Sequence, residues 1–187
     1  MEGGTLAREI DDIAKRKKYK QNQYGDRKSR KDDYTGERVF SGNTEKAIKK
    51  HPIDKISDTD HVTPIKVVQS RYKGLSDDQQ RIIANSEHNY AITNSKLNRS
   101  KGGLENHEYL MRQTLKGENP GLKTSAKMLE KEAESRIAMR VQATAMYTEN
   151  VVHKISDTDF AMKAKGINQA GKEEAVNSAI FASALSV

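Results

Sequence analysis

DHVTPIKVV at residues 60–68 and EHNYAITNSKLNRSKG at residues 87–102 are the stretches whose reading decides the fold. The first opens on a carboxylate beside a histidine at the end of a short β-like run over Ile56–Lys66. Side chains alternate along a strand, so Asp60 and His61 leave it on opposite sides. The strand must therefore end or bend there if both are to serve one site, and Pro64 fixes its exit. The second stretch sets Asn89 ahead of a short extended piece. Thr93 or Asn94 then caps a helix running to about Lys101, which Gly102-Gly103 stops. Asn94 and Asn98 stand one turn apart on that helix and share a face.

These residue types, in this order, suit the hydrolysis of a phosphate ester. An unperturbed imidazole titrates at about 6.5, so His61 can take a proton from water near neutral pH. Asp60 and Asn98 offer oxygen donors, which suit Mg²⁺ or Mn²⁺ better than structural zinc. An ion held by them would polarise a phosphoryl oxygen and stabilise a leaving oxygen. Asn89 comes too early to share the helix and is better placed to fix the loop that carries His61. Asn94 is an auxiliary ligand candidate, and His88 an accessory one through its neighbour Asn89. Arg99 and Lys101 are candidates for the flanking phosphates. Taken singly, each has a plainer role, Asn89 in a turn and Asn98 on a helix surface. His51, His107 and His153 have no spaced acidic or amide partners that make a second constellation.

Outward from this centre the chain is thinly apolar. Of 187 residues, 34% are hydrophobic, 5% aromatic and 32% charged, which implies a small core and much solvated helix. The formal net charge of +7 favours a polyanionic partner, most simply nucleic acid. There is no cysteine, so disulfides and cysteine-ligated zinc are excluded. The N-terminus lacks an apolar signal-like run and no stretch is long enough to span a membrane, so a cytoplasmic protein of bacterial or phage origin is the expectation. The apolar ending AVNSAIFASALSV suggests that the chain continues or that this end packs on a partner.

Residues 5–18 are predicted as a short helix and 15–31 as a flexible basic arm, with Lys28 and Arg30 as phosphate contacts. DYTGERVF at 33–40 reads as a turn into a strand. Short helices are predicted at Thr44–Lys50, at 76–85 behind a Ser76 cap, and at Glu108–Lys116. A long helix is predicted over Thr124–Val152, with Ala126, Leu129, Ala133, Ile137, Met139, Val141 and Met146 as its apolar stripe, and a last helix over Lys172–Val187. The methionines read as packing residues. KISDTD occurs at Lys55–Asp60 and again at Lys154–Asp159, where Phe160 follows in place of histidine, so the second copy reads as a turn or cap.

DYTGERV, DHVTPIK and EHNYAITNSKLNRSKG together resemble the HNH endonucleases, in the variant with asparagine in the last motif position, similar to the HNH domain of RNA-guided CRISPR nucleases. The resemblance covers about residues 33–104. It implies a small ββα-metal nuclease core (33–104); with the N-terminal helix and basic arm (1–32) and the mostly α-helical extension (105–187), which resembles no known family, the expectation is an α+β protein. It further implies metal-dependent hydrolysis of DNA, with Asp60 and Asn98 as metal ligands, His61 as general base and Asn89 supporting the histidine loop. The family's knuckle cysteines are missing, so Tyr34, Val39, Phe40, Val62 and Ile65 must hold the hairpin. The last family histidine is replaced by Asn98, which favours magnesium. Two rival expectations are an inactive nucleic-acid-binding module and a helical interaction protein. The second would use the C-terminal helices to meet a protein partner or a further copy of the chain.

Overall fold

Asp12 starts the first helix, its carboxylate accepting from the Lys15 amide at 2.8 Å. This is α1 (Ile13–Tyr24) of a computed structural model that describes residues 10–41 and 49–164, with side chains to residue 158. Much of the stretch predicted as a flexible basic arm is therefore helix. Its remainder includes β1 (Ser29–Lys31). The arm fails as a prediction because Tyr19 and Tyr24 find a buried surface to cover, which charge counting does not register.

β1 turns into β2 (Arg38–Ser41), its antiparallel partner. Asp32 builds the turn by accepting from the amides of Tyr34 at 2.8 Å and Thr35 at 3.0 Å. Gly36 closes it at φ +72°, a left-handed conformation that favours glycine. A 3₁₀ turn (Ile53–Lys55) leads into β3 (Ile56–His61), parallel to β2. β4 (Tyr90–Asn94) pairs antiparallel with β3, in a register that sets His61 opposite Tyr90 and Asp60 opposite Ala91. The sheet order is β1-β2-β3-β4.

Between β3 and β4 lie α2 (Ile65–Arg71) and α3 (Asp77–Ala84). The extended run predicted to Lys66 thus ends at His61, and helix begins directly behind Pro64. Ser76 and Gln79 form a full capping box on α3. α4 (Ser95–Lys101) follows β4, capped by Asn94, and ends where Gly102 donates to the Asn98 carbonyl at 3.0 Å. α5 (Asn106–Leu115) and the 43-residue α6 (Leu122–Ala164) complete the described chain. The architecture is mixed α+β: one small sheet and a long C-terminal helix. Most of the helix expected at Thr44–Lys50 and all of that at Lys172–Val187 lie outside the described residues.

Three apolar clusters fill the interior. Val68, Tyr72, Leu75 and Ile83 meet Met139 and Ala143 of α6. Tyr19 and Tyr24 of α1 meet Val39, Tyr90 and Ile92. Tyr34, Val62 and Ala91 meet Tyr109 and Met128. Of the five residues expected to hold the hairpin, Tyr34, Val39 and Val62 are fully buried, and Phe40 and Ile65 are half-buried.

α6 buries only part of the predicted stripe, Met139, with Met146 packed against the same cluster. Leu129, Ile137 and Val141 are exposed, whereas Met128, Glu132, Ser135, Met139 and Ala143 are buried. The buried face carries two polar residues whose partners lie on other elements, which an apolar pattern cannot anticipate. The second KISDTD copy lies inside α6 and the first in the 3₁₀ turn and β3. Its reading as a turn or cap is thus replaced by helix interior. Strand pairing on both sides holds the first copy extended, and the second continues a helix already formed.

The exposure pattern predicts opposite outcomes for two neighbouring residues of α6. Met139→Ala is expected to cost about 2–5 kcal/mol through the cavity it leaves, and Ile137→Ala about 0.5 kcal/mol or less, read from urea unfolding midpoints. Equal costs would mean that the helix is turned differently.

Candidate functional site

Asn89 is fully buried and all four hydrogen-bonding positions of its side chain are filled. Its Nδ2 donates to the carbonyls of Thr63 at 3.0 Å and Ala84 at 2.9 Å. Its Oδ1 accepts from the Thr63 amide at 2.7 Å and the Ser135 hydroxyl at 2.9 Å. The Asn89 carbonyl also accepts from the Val62 amide at 2.9 Å. One residue therefore clamps the two positions that follow His61 and ties them to α3 and α6.

His61 stands at the end of β3, its ring edge-on to Tyr90 with centroids 5.2 Å apart. Part of the ring is exposed, but Nε2 is shut off from solvent with no hydrogen-bond partner among the described residues. Burial, with Arg16 and Lys101 nearby, drives its pKa down to about 4, against a hydrogen bond to Asn85 that pulls the other way. His61 is therefore neutral at pH 7, the form that accepts a proton.

Asp60 leaves β3 on the other face. Its carboxylate is buried, lying 3.0 Å from Lys101 Nζ and accepting from the Tyr34 hydroxyl at 2.8 Å. Burial raises its pKa, and Lys101 and Tyr34 hold it back. Lys101 also donates to the His61 carbonyl at 3.0 Å. With its side chain fully buried, Lys101 does not face a flanking phosphate; it is the internal counter-ion of Asp60. The expected phosphate role fails because the i+3 position from Asn98 points this side chain back under the sheet.

Asn98 belongs to a third surface. With Asp58 and Thr59 of β3 it lines a cavity of about 300 Å³, closed on the other side by Arg16, Lys17 and Lys20 of α1. Neither Asp60 nor His61 is among the lining residues. The expected pairing of Asp60 and Asn98 around one ion is thus replaced at the cavity by Asp58, Thr59 and Asn98. These oxygen-bearing side chains match the donor chemistry of a hard divalent ion. Asp60 could join them only by giving up Lys101. Opposite them, Arg16 is paired to Asp11 at 2.6 Å and Lys20 is buried with its Nζ on the Ser57 carbonyl, so Lys17 is the cation left to meet a phosphate, and a metal ion would enter together with it. That is how Mg²⁺ is commonly held, by one or two carboxylates and substrate oxygens.

The remaining expected residues scatter. Asn94 is a structural cap, accepting from the Leu97 amide at 2.8 Å and donating to Asp32 at 3.0 Å, so its amide is spent and does not serve as an auxiliary ligand. Arg30 is paired to Asp33 at 2.6 Å and bonded to Gln23. Lys28, His88 and Arg99 are exposed. Sequence reasoning missed Asp58; the three cations of α1 belong to the basic segment read as contacting phosphate, though as a flexible arm and not as helix. Strand alternation alone gives Asp58 the face of Asp60 and so did not mark it for this cavity, whereas Arg16 and Lys20 lie one helical turn apart.

A second polar group was also missed. Glu105, His107 and Glu132 bring their ligand atoms within 4.8 Å of one another and could hold a metal ion. In this structure arginines neutralise them. Arg136 lies 3.0 Å from Glu105 and 2.7 Å from Glu132, and Arg71 lies 2.9 Å from Glu105. Burial pulls the Glu105 pKa up, but the two guanidiniums outweigh it and hold the carboxyl below its usual range. The group reads as an ion-pair network joining α2, α5 and α6. His107 finds its acidic partner, Glu132, 25 residues away at 2.8 Å, a separation that no local motif marks.

No protein-family model, curated protein or solved structure matches this chain.

Two outcomes follow from this geometry. Asn89→Leu leaves the Thr63 and Ala84 groups unpaired and is expected to cost about 3–5 kcal/mol, measured by urea unfolding; a loss under about 1 kcal/mol would show that the clamp is dispensable. His61 is expected to titrate near pH 4 by NMR. Between about 4 and 6.5 the unfolded chain binds a proton that the folded His61 refuses. Its contribution to stability is therefore present above about 6.5, falls as pH drops through that window and is gone below about 4. Titration at 6.5 would mean that the ring is solvated.

Proposed function

We propose that this protein is a metal-dependent endonuclease that hydrolyses phosphodiester bonds of DNA, acting at the cavity between α1, β3 and α4. The observation that carries this reading is the composition of that cavity. Asp58, Thr59 and Asn98 face Arg16, Lys17 and Lys20 across a space of about 300 Å³, beside the strand that ends in His61. Oxygen donors opposite a row of cations suit a phosphate and its divalent counter-ion together. The HNH-like order of Asp60, His61, Asn89 and Asn98 points to the same chemistry.

In this reading Lys17 meets the phosphate, and Asn98 and Asp58 would hold the divalent ion, Mg²⁺ or Mn²⁺. Bound there, that ion supplies Lewis-acid polarisation of the phosphoryl group. His61, neutral at physiological pH, does not line the cavity, and it would accept the proton of the attacking water only once its ring opens towards it. Asn89 positions His61 by fixing the turn behind it. Lys101 keeps the Asp60 charge compensated below the sheet and so sets the end of β3.

A second reading, a nucleic-acid-binding module without hydrolysis, is favoured by one observation. The Asp60 oxygens are engaged by Lys101 and Tyr34, and His61 Nε2 is closed to solvent.

Supercoiled plasmid incubated with Mg²⁺ or Mn²⁺ separates the two. The endonuclease reading expects conversion to the nicked form, its loss in EDTA, and a rate about 10²–10⁴-fold lower for His61→Ala. Undiminished nicking by the variant, or in EDTA, overturns the mechanism. Binding without nicking in either metal selects the second reading.

A further inference from the structure

The β1–β2 hairpin and α6 border a groove of about 760 Å³ that shares no lining residue with the cavity just described. Five cations line it: Arg27, Arg30, Lys31, Arg38 and Lys127. Two carboxylates, Asp32 and Asp33, share it, but both are committed elsewhere. Asp32 is buried and accepts from the amides of Tyr34, Thr35 and Asn94. Asp33 accepts from the Ile92 amide at 2.6 Å and neutralises Arg30. Among the described residues, the side chains of Lys31, Arg38 and Lys127 have no hydrogen-bond or ion-pair partner. Arg27 bonds only to the carbonyls of Tyr24 and Gln23, which leave its charge uncompensated.

The strand register sharpens this imbalance. Lys31 and Arg38 sit directly opposite each other across the antiparallel pair, where like charges repel. Lys127 comes down from α6 onto the turn, and a Cβ on Gly36 would stand 2.7 Å from its Nζ. Gly36 thus serves the turn and also admits the ammonium. Three elements bring positive charge to one open groove, where Lys31, Arg38 and Lys127 are exposed and a bound polyanion would relieve their repulsion beyond the screening that water and salt provide.

We propose that this groove binds the phosphate backbone of a nucleic acid. A linear polyanion fits an open channel of separated cations, since each can meet a different phosphate. Gln23 and Ser29 complete the lining, and no large apolar side chain is among it. A lipid surface or an amphipathic peptide would find nothing to anchor to there. The groove corrects the expected contacts. Arg30 is already neutralised and Lys28 does not line the channel, so Arg27, Lys31, Arg38 and Lys127 carry the interaction. The inference extends the nucleic-acid reading but does not require hydrolysis, so its test is run without metal.

Fluorescence anisotropy of labelled DNA duplex, DNA single strand and RNA duplex, in EDTA across a salt series, measures it. Arg38→Ala/Lys127→Ala is expected to weaken binding at least tenfold at low salt, whatever the base sequence. The same variant should reduce the slope of log K against log salt by about two for the bound form. Lys73→Ala, an exposed lysine outside the groove, is the control and should leave the slope unchanged. The three probes tell which phosphodiester is held, and circular dichroism checks that the double variant is folded. An unchanged slope in a folded double variant overturns the proposal. So does a double variant that loses binding to phosphatidylserine vesicles while still binding all three nucleic acids as the wild type does. Groove binding that survives while nicking is absent in every metal would leave this inference standing and remove the endonuclease reading.

Discussion

One buried amide governs the centre of this protein. Asn89 holds the backbone of Thr63 through both its amide and its carbonyl, and it reaches Ala84 and Ser135 with the positions that remain. A primary amide is the smallest side chain that donates twice and accepts twice. An aspartate would set acceptor against acceptor at two carbonyls, and a leucine would orphan the exposed ends of β3 and α3. The strand therefore stops at His61, because Val62 bonds to the Asn89 carbonyl and Thr63 to the Asn89 side chain and neither pairs with a neighbouring strand. Every functional argument about His61 starts from that stop.

The same stop separates the charges around it. Asp60 turns beneath the sheet to Lys101 and Tyr34, while His61 turns above it towards Tyr90 and α1. Lys101 spans the two, bonding to the Asp60 carboxylate and to the His61 carbonyl. Burying an ion pair at this depth is costly unless it is hydrogen-bonded, and the Tyr34 hydroxyl supplies a further bond. The result is a fixed strand end whose two faces have different electrostatics. The face towards α1 keeps a neutral histidine beside a row of cations; the other keeps a carboxylate already matched.

A chain with so little apolar content still builds an interior because its buried polar groups are paired. Ser135 and Glu132 occupy positions on α6 that leucine would fill in a more apolar protein, and each has a partner on another element. Leu129, Ile137 and Val141 are correspondingly left outside. The helical period was legible in the sequence, but its buried face was not, since that face is chosen by Asn89 and His107, far away along the chain. The two copies of KISDTD make the same point for secondary structure: identical residues are strand between two partners and helix without them.

The sequence by itself determined the local devices: the Ser76 box, the Asn94 cap, the Gly102 stop, the bend at Thr35-Gly36 and the order of a strand ending in Asp-His before a second strand and a helix. These depend on contacts a few residues long, and residue type settles them. It also picked out Asn89, whose side chain fixes the turn behind His61. Only the tertiary structure decided that α1 covers the sheet, that Lys101 is the counter-ion of Asp60, that Asp58 and not Asp60 shares a cavity with Asn98, and that hairpin and α6 cations meet in one groove. Each of those pairings joins residues dozens of positions apart. Their energy comes from desolvation and charge matching in three dimensions, which no spacing along the chain records.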